Sequence, residues 1–330
     1  MKGVELACVA ASVSIVLCAG CGGTSASFGV QPPLRIAGAR RVDHSESWMA
    51  RGAVAQNLLY LSNYANGDVR VYAYPAGTPV GALTGFAGPA GLCSDKAGNV
   101  WIVNSPTSAL AEYAHGATSR IKTLYDFKAV SLLGCAVDPV TGDLAATDLG
   151  SAGEAGHVSI YAKGARAPTR YYSTYLHYVY FCGYDKAGNL FVDGLDVNNN
   201  TLFVEISRGS KTLKEIRLNR SVDFPGGVQW DGKYVAVGDQ EYDHQHESAI
   251  YQVSVSGLVG TIVGVTKLDA SCDVLQFWIA KLANGQSSQV VAPDDCLGTV
   301  KAYPYPAGGS ATKRIAKMPY PVGAAVSVAR

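Results

Sequence analysis

Charge is scarce in this chain. Asp, Glu, Lys and Arg make up 16% of its 330 residues, and 27 Lys plus Arg nearly balance 26 Asp plus Glu. No basic run stands out, so the electrostatic footprint of a nucleic-acid binder is missing. With 48% hydrophobic residues, so little charge excludes a disordered chain and leaves ample material for a large core. Catalytic signatures are equally absent: no HExxH, no G-x-S-x-G, no phosphate loop, no GxGxxG opening a helix. The six histidines are scattered, which leaves open a Ser, His and Asp arrangement assembled from distant segments. No helix of useful length is needed anywhere after residue 50. What the chain does have is glycine, 37 residues of it, and a phrase that it repeats.

That phrase is DKAGNVWIVN at 95–104, which returns as DKAGNLFVDG at 185–194. Weaker copies share its grammar: AQNLLYLSN (55–63), DPVTGDLAATD (138–148), WDGKYVAVGD (230–239) and ANGQSSQVVAPD (283–294). Each is a turn rich in Gly, Asn and Asp followed by about five alternating or apolar residues, the mark of a hairpin entering a half-buried strand. Their spacing of roughly 40 to 53 residues is the period of a four-stranded propeller blade, and six anchors mean six blades. A third strand follows in VYAYPAG, AEYAHG, SIYAKG and AYPYPAG, each with a Tyr three residues before a Gly. A fourth follows in RIKTLY and KEIRLN. The segment YPVGAAVSV (320–328) matches GPAGLCSD and reads as a first strand without its own hairpin, while the N-terminal copy lacks a first strand. Together they complete one blade and remove the open edge of the ring. The expected fold is therefore all-β: a six-bladed β-propeller of four-stranded antiparallel blades, closed by pairing of N- and C-terminal strands. A β-sandwich of seven or more strands is the competing fold.

The N-terminus reads as a processing segment. MKGVE carries one Lys, and LACVAASVSIVL is an apolar stretch too short and too near the start to span a membrane. Ala19 and Gly20 before Cys21 resemble the lipobox of bacterial lipoproteins, although Cys18 and Glu5 depart from that pattern. A plain secretory signal cleaved nearby is the alternative. On the lipoprotein reading, 1–20 is the signal peptide, Cys21 is lipidated, 21–50 is a tether and 51–330 is the propeller. Each buried methylene of the acyl chains contributes roughly 0.8 kcal/mol, so two or more chains hold the protein to the cell envelope.

The phrase D-x-x-G-N-hydrophobic-x-hydrophobic-x-[ND] resembles the NHL-type repeat and the six-bladed propellers related to it, over about 51–330. That superfamily implies three kinds of function: non-catalytic interaction propellers, gluconolactonase-like hydrolases with a divalent metal in the channel, and streptogramin-lyase-like enzymes. Fold analogy does not choose among them. In the gluconolactonase-like enzymes a Glu near the start of a first strand joins Asn and Asp as a metal ligand, and no Glu occurs here in 89–95, 132–138 or 179–185.

Three candidate site features emerge. The anchors end in Asn63, Asn104, Asp148, Asp193 followed by Gly194, Asp239 and Asp294, a near-complete ring on the face opposite the DKAGN turns. Such side chains either close Asx-turns or present oxygens to a hard cation such as Ca²⁺. The segment GDQEYDHQHES (238–248) is the densest polar patch and contains His244; its spacing fits no established metal motif, and a solvated loop is the plainer reading. Among the aromatics, Tyr175, Tyr178, Phe86 and Phe224 fall in loops that can rim the channel mouth and stack on a ligand, or else pack between blades.

Five cysteines follow Cys21, an odd number. Cys272 and Cys296 flank one hairpin at equal distances from Asn284, and Cys93 and Cys135 occupy nearly the same place on consecutive first strands. Two disulfides, Cys272–Cys296 and Cys93–Cys135, are expected in an exported protein, with Cys182 a buried thiol. The leading functional expectation is a monomeric, surface-tethered, non-catalytic propeller that binds a protein, peptide or glycan on the Asn/Asp face, without cofactor, without nucleic acid and touching the membrane only through its anchor. The rival is a metal-assisted hydrolase or lyase with Asp239, His244 and Asp294 as its residues and Ca²⁺ in the channel.

Overall fold

The computed structural model describes residues 46–242, 247–282 and 288–330. Among these the DKAGN phrase explains itself. Asp95 Oδ1 accepts the N–H groups of Ala97 and Asn99, each at 2.8 Å, while Oδ2 accepts Asn99 Nδ2 at 2.9 Å. Gly98 turns the chain with φ +82°, a conformation that favours glycine. Asp185 repeats the pattern with Ala187 and Asn189. The motif recurs because one Asp, one Gly and one Asn satisfy a whole hairpin turn.

Each turn joins an inner strand to the next one outward. The second blade runs Pro89–Ser94, Val100–Asn104, Ala109–Tyr113 and Arg120–Tyr125 in that order across its sheet. The third (Leu132–Val137 to Thr169–Tyr172), fourth (Tyr178–Tyr184 to Lys214–Glu215) and sixth (Trp278–Lys281 to Lys313–Lys317) repeat it. The fifth, from Pro225–Trp230 outward to Val259–Leu268, adds Arg217–Leu218 as a parallel outermost strand. The first blade is assembled from both ends of the described chain: Pro321–Ser327 pairs antiparallel with Leu58–Asn63 and supplies the inner strand. On its outer edge Trp48–Met49 pairs with Gly81 and Ala82, so the tether boundary expected at residue 50 falls just beyond a short strand. The fold is a ring of six blades, as the repeat spacing predicts.

The core lies between blades. One apolar cluster joins the first and second blades around Tyr60, Val71, Leu92 and Ile102; others join third to fourth, sixth to first and fifth to sixth. The inner strands approach so closely that side chains are excluded at two different positions along them. A Cβ on Gly91 would lie 2.4 Å from the Leu133 carbonyl oxygen, and one on Gly183 equally close to that of Val228. Both expected disulfides are present: Cys93–Cys135 joins the inner strands of the second and third blades, and Cys272–Cys296 closes a 24-residue separation in the sixth. Cys182 is a buried free thiol.

Candidate functional site

The Asn/Asp ring lies where the second strands end, and its geometry is regular. In the second blade Asn104 Oδ1 accepts the N–H groups of Ala87 and Gly88, both at 3.0 Å, just ahead of the inner strand. Asp148 does the same for Val130 and Ser131, Asp239 for Asp223 and Phe224, and Asp294 for Cys272 and Asp273. These side chains tie each second strand to the chain entering its inner neighbour. Asn63 is the exception: buried, its amide has no partner among the described residues, and the first of its two donor positions is held by Pro319, which has no N–H. Asp193 is out of phase. Gly194 takes the ring position opposite Val179, and Asp193 instead accepts the Phe181 N–H at 2.8 Å and that of Gly226 in the fifth blade. Burial raises its carboxyl far above the ordinary range.

The ring does not fit a cation well. Asn63 apart, its members already accept backbone N–H groups, and among the described residues no group of three or more His, Cys, Asp or Glu side chains could hold a metal ion. His244 lies outside the described residues, as does Cys21.

Sequence reasoning missed the carboxyl pair of the sixth blade. The carboxyls of Asp273 and Asp295 are neighbours, and the Asp295 N–H donates to the Asp273 carbonyl at 3.1 Å. Burial first, and then the neighbouring charges of Asp295, Asp294 and Glu241, push Asp273 upward; Asp295 is raised less, with the Tyr320 hydroxyl donating to it. Neighbouring like charges disfavour ionisation of both groups, so the pair holds its protons more tightly than free carboxyls do. The signal was in the sequence: each Asp adjoins a cysteine, in SCDV and DDCL.

A second cluster was also missed. Asp126 is fully buried between two exposed aromatics, Tyr125 (44% exposed) and Phe127 (87%). Its oxygens accept Arg170 Nε and His157 Nε2, each at 2.8 Å, the Ser159 hydroxyl and the Lys128 N–H. The other ring nitrogen of His157 faces Asp148 Oδ2 at 3.1 Å. Burial alone would depress this imidazole, but the hydrogen bonds to Asp126 and Asp148 raise it to about 9, so it is charged at neutral pH. Burial would likewise raise Asp126, yet His157, Arg170 and Ser159 hold it well below the usual carboxylate range. Over this base the Tyr125 and Phe127 rings stack at 5.5 Å and 7°, and Tyr172, 59% exposed, covers His157 at 5.1 Å.

The aromatics expected at the mouth divide. Tyr175 is exposed. Tyr178 is half-buried and edge-on to His177, and Phe224 is half-buried and edge-on to Tyr180. Phe86 is buried in the core beneath the Arg120 guanidinium, so its ring packs between blades rather than facing the mouth.

No protein-family model and no curated protein matches the sequence. Solved structures do. One described as the crystal structure of a nidogen/laminin complex superposes with TM-score 0.63 at 12% identity, covering 83% of this chain and 99% of its own. Hydrazine synthase of Kuenenia stuttgartiensis superposes with TM-score 0.55 at 14% identity, covering 81% and 80%. At such identities the likeness is one of fold. The two disulfides fit an extracytoplasmic environment, and no helix among the described residues is long and apolar enough to cross a membrane.

Proposed function

We propose that this is an exported binding propeller, held to the cell envelope through a lipid on Cys21, which acts as a monomer and takes a protein, peptide or glycan on the Asn/Asp face. The observation that carries this reading is the Tyr125–Asp126–Phe127 segment. Its two aromatic rings lie in solvent while the residue between them is locked into a buried network of ions. Exposed rings held on a rigid base lose little entropy on binding, and clustered aromatics are the usual anchors of interfaces. Tyr172 and Tyr175 extend the patch toward the fourth blade. The likeness to a chain from a nidogen/laminin complex agrees with a propeller that binds through a face, and no more than that.

The test is a glycan array together with a displayed-peptide screen, using the wild-type protein and the Phe127→Ala/Tyr172→Ala double variant. Ligands bound by the first and lost by the second are expected. Ligands bound equally by both, or no ligand at all, would overturn the reading.

One observation favours a second reading, a hydrolase or lyase: the neighbouring carboxyls of Asp273 and Asp295, joined by the Asp295 N–H to Asp273 carbonyl bond, beside Asp294 at the same face. A lactone and ester screen with and without added Ca²⁺ or Zn²⁺ checks it, with turnover lost in Asp273→Asn as the expected result. Turnover that survives that variant, or none, removes it.

A further inference from the structure

The opposite end of the channel has a chemistry of its own. Where the DKAGN turns converge, a cavity of about 380 Å³ is lined from five blades: Cys93, Cys135, Cys182, Val228 and Phe277 supply one wall each. Tyr184, Trp230 and Trp278 stand half-buried around it, and the exposed Lys96 and Lys186 guard it. The volume lies toward the small end of ligand sites and suits one or two rings.

Its hydrogen-bonding inventory is one-sided. Gln276 is fully engaged with the backbone of Leu92, accepting and donating at 2.9 Å. Gln229 is engaged in the same way with Ile279. Asp185 spends its oxygens on its own turn, and the Ser94 hydroxyl donates to the Val326 carbonyl at 2.8 Å. The side-chain groups that keep no partner among the described residues are the Lys96 and Lys186 ammoniums, the Trp230 and Trp278 indole N–H groups and the Tyr184 hydroxyl. Four of these five can only donate. A ligand that matches the cavity therefore brings acceptors and negative charge on a body flat or apolar enough to lie against indole rings.

We infer that this mouth is a binding site for a small anionic ring compound, a carboxylate, sulfate or phosphate carried on an aromatic or sugar ring. The site is separate from the Asn/Asp face and does not depend on the function proposed for it. Lys96 and Lys186 supply the charge recognition, Trp230 and Trp278 the stacking surface, and the disulfide-linked inner strands a wall that does not move.

Isothermal titration tests it with two matched pairs of probes: indole-3-carboxylate against indole-3-carboxamide, and glucuronate against methyl glucoside. At least one acid is expected to bind saturably, about tenfold or more tighter than its neutral partner, and to weaken as salt screens the lysines. Which acid binds tells an aromatic body from a sugar body. The Lys96→Gln/Lys186→Gln variant, altered only at exposed side chains, is expected to keep its melting temperature and lose about tenfold in affinity for the acid. Equal binding of acid and neutral partner, undiminished binding by the double variant, or no saturable binding by any probe would overturn the inference.

Discussion

Asp295 donates its N–H to the Asp273 carbonyl at 3.1 Å, and each of the two stands one residue from a half-cystine of the same disulfide, Cys272–Cys296. The crosslink sets the two half-buried carboxyls side by side, where desolvation and mutual repulsion disfavour their ionisation. Both are raised above the value of an unfolded Asp, so the folded chain binds more proton than the unfolded one. The pair's contribution is fully present below about pH 4 and is lost as pH rises toward about 9, where Asp273 ionises. Melting temperature measured across pH 5 to 9 is expected to fall less in Asp273→Asn than in the wild type, the gap at pH 9 being at least roughly 2–4 °C. A variant with the wild-type slope would mean that the pair carries no proton.

The Asp126–His157 contact makes the opposite kind of demand, that both partners be charged. Replacing His157 removes its charge-assisted contacts to Asp126 and Asp148 while Arg170 still compensates Asp126, a loss of about 1.5–3 kcal/mol per contact. Urea unfolding of His157→Gln at pH 6 is expected to show a loss of that order. The imidazole is raised in the folded state, so its contribution is complete below about pH 6.5 and fades through about 9. The cost of His157→Gln should therefore shrink by pH 10. Phe127→Ala, on the exposed ring beside it, should stay within about 0.5 kcal/mol at either pH.

Cys93 and Cys135 are 42 residues apart in sequence and join two neighbouring blades at the channel wall. On the chain-entropy account, Cys93→Ala/Cys135→Ala loses about 4 kcal/mol. Denaturant midpoints with and without the crosslink check this, and a change under about 1 kcal/mol would argue that the blades are fixed by packing alone.

Glycine in an inner strand should be irreplaceable where the neighbouring backbone is closest. Gly91→Ala, whose new methyl would meet the Leu133 carbonyl at 2.4 Å, is expected to destabilise strongly. Gly153→Ala, in a hairpin with nothing within 4 Å, should be close to neutral. Thermal melts of the two variants make the comparison.

The architecture was legible because its signals are local. An Asp, a Gly and an Asn within five residues specify a turn, and the turn returns at the period of a blade. Both disulfides could be read because Cys93 and Cys135 recur at matching places in the repeat and Cys272 and Cys296 flank one hairpin symmetrically. The ring at the ends of the second strands was legible as residue types but not as contacts. Asp193 is one residue out of phase with Asp148, which points it toward the next blade, and Asn63 loses a donor to a proline in a segment more than 250 residues away. The network of Asp126, His157 and Arg170 joins three segments that no spacing rule links.

The strand that completes the first blade comes from the far end of the described chain. Residues 58–63 therefore emerge during synthesis without the partner that covers their inner edge, and every other blade can form before that partner exists. Closing the ring waits for that strand, which also packs the first blade against the sixth. Until residues 321–327 arrive, the chain keeps an open strand edge on which an extended segment of another protein, or of a second copy of itself, can settle.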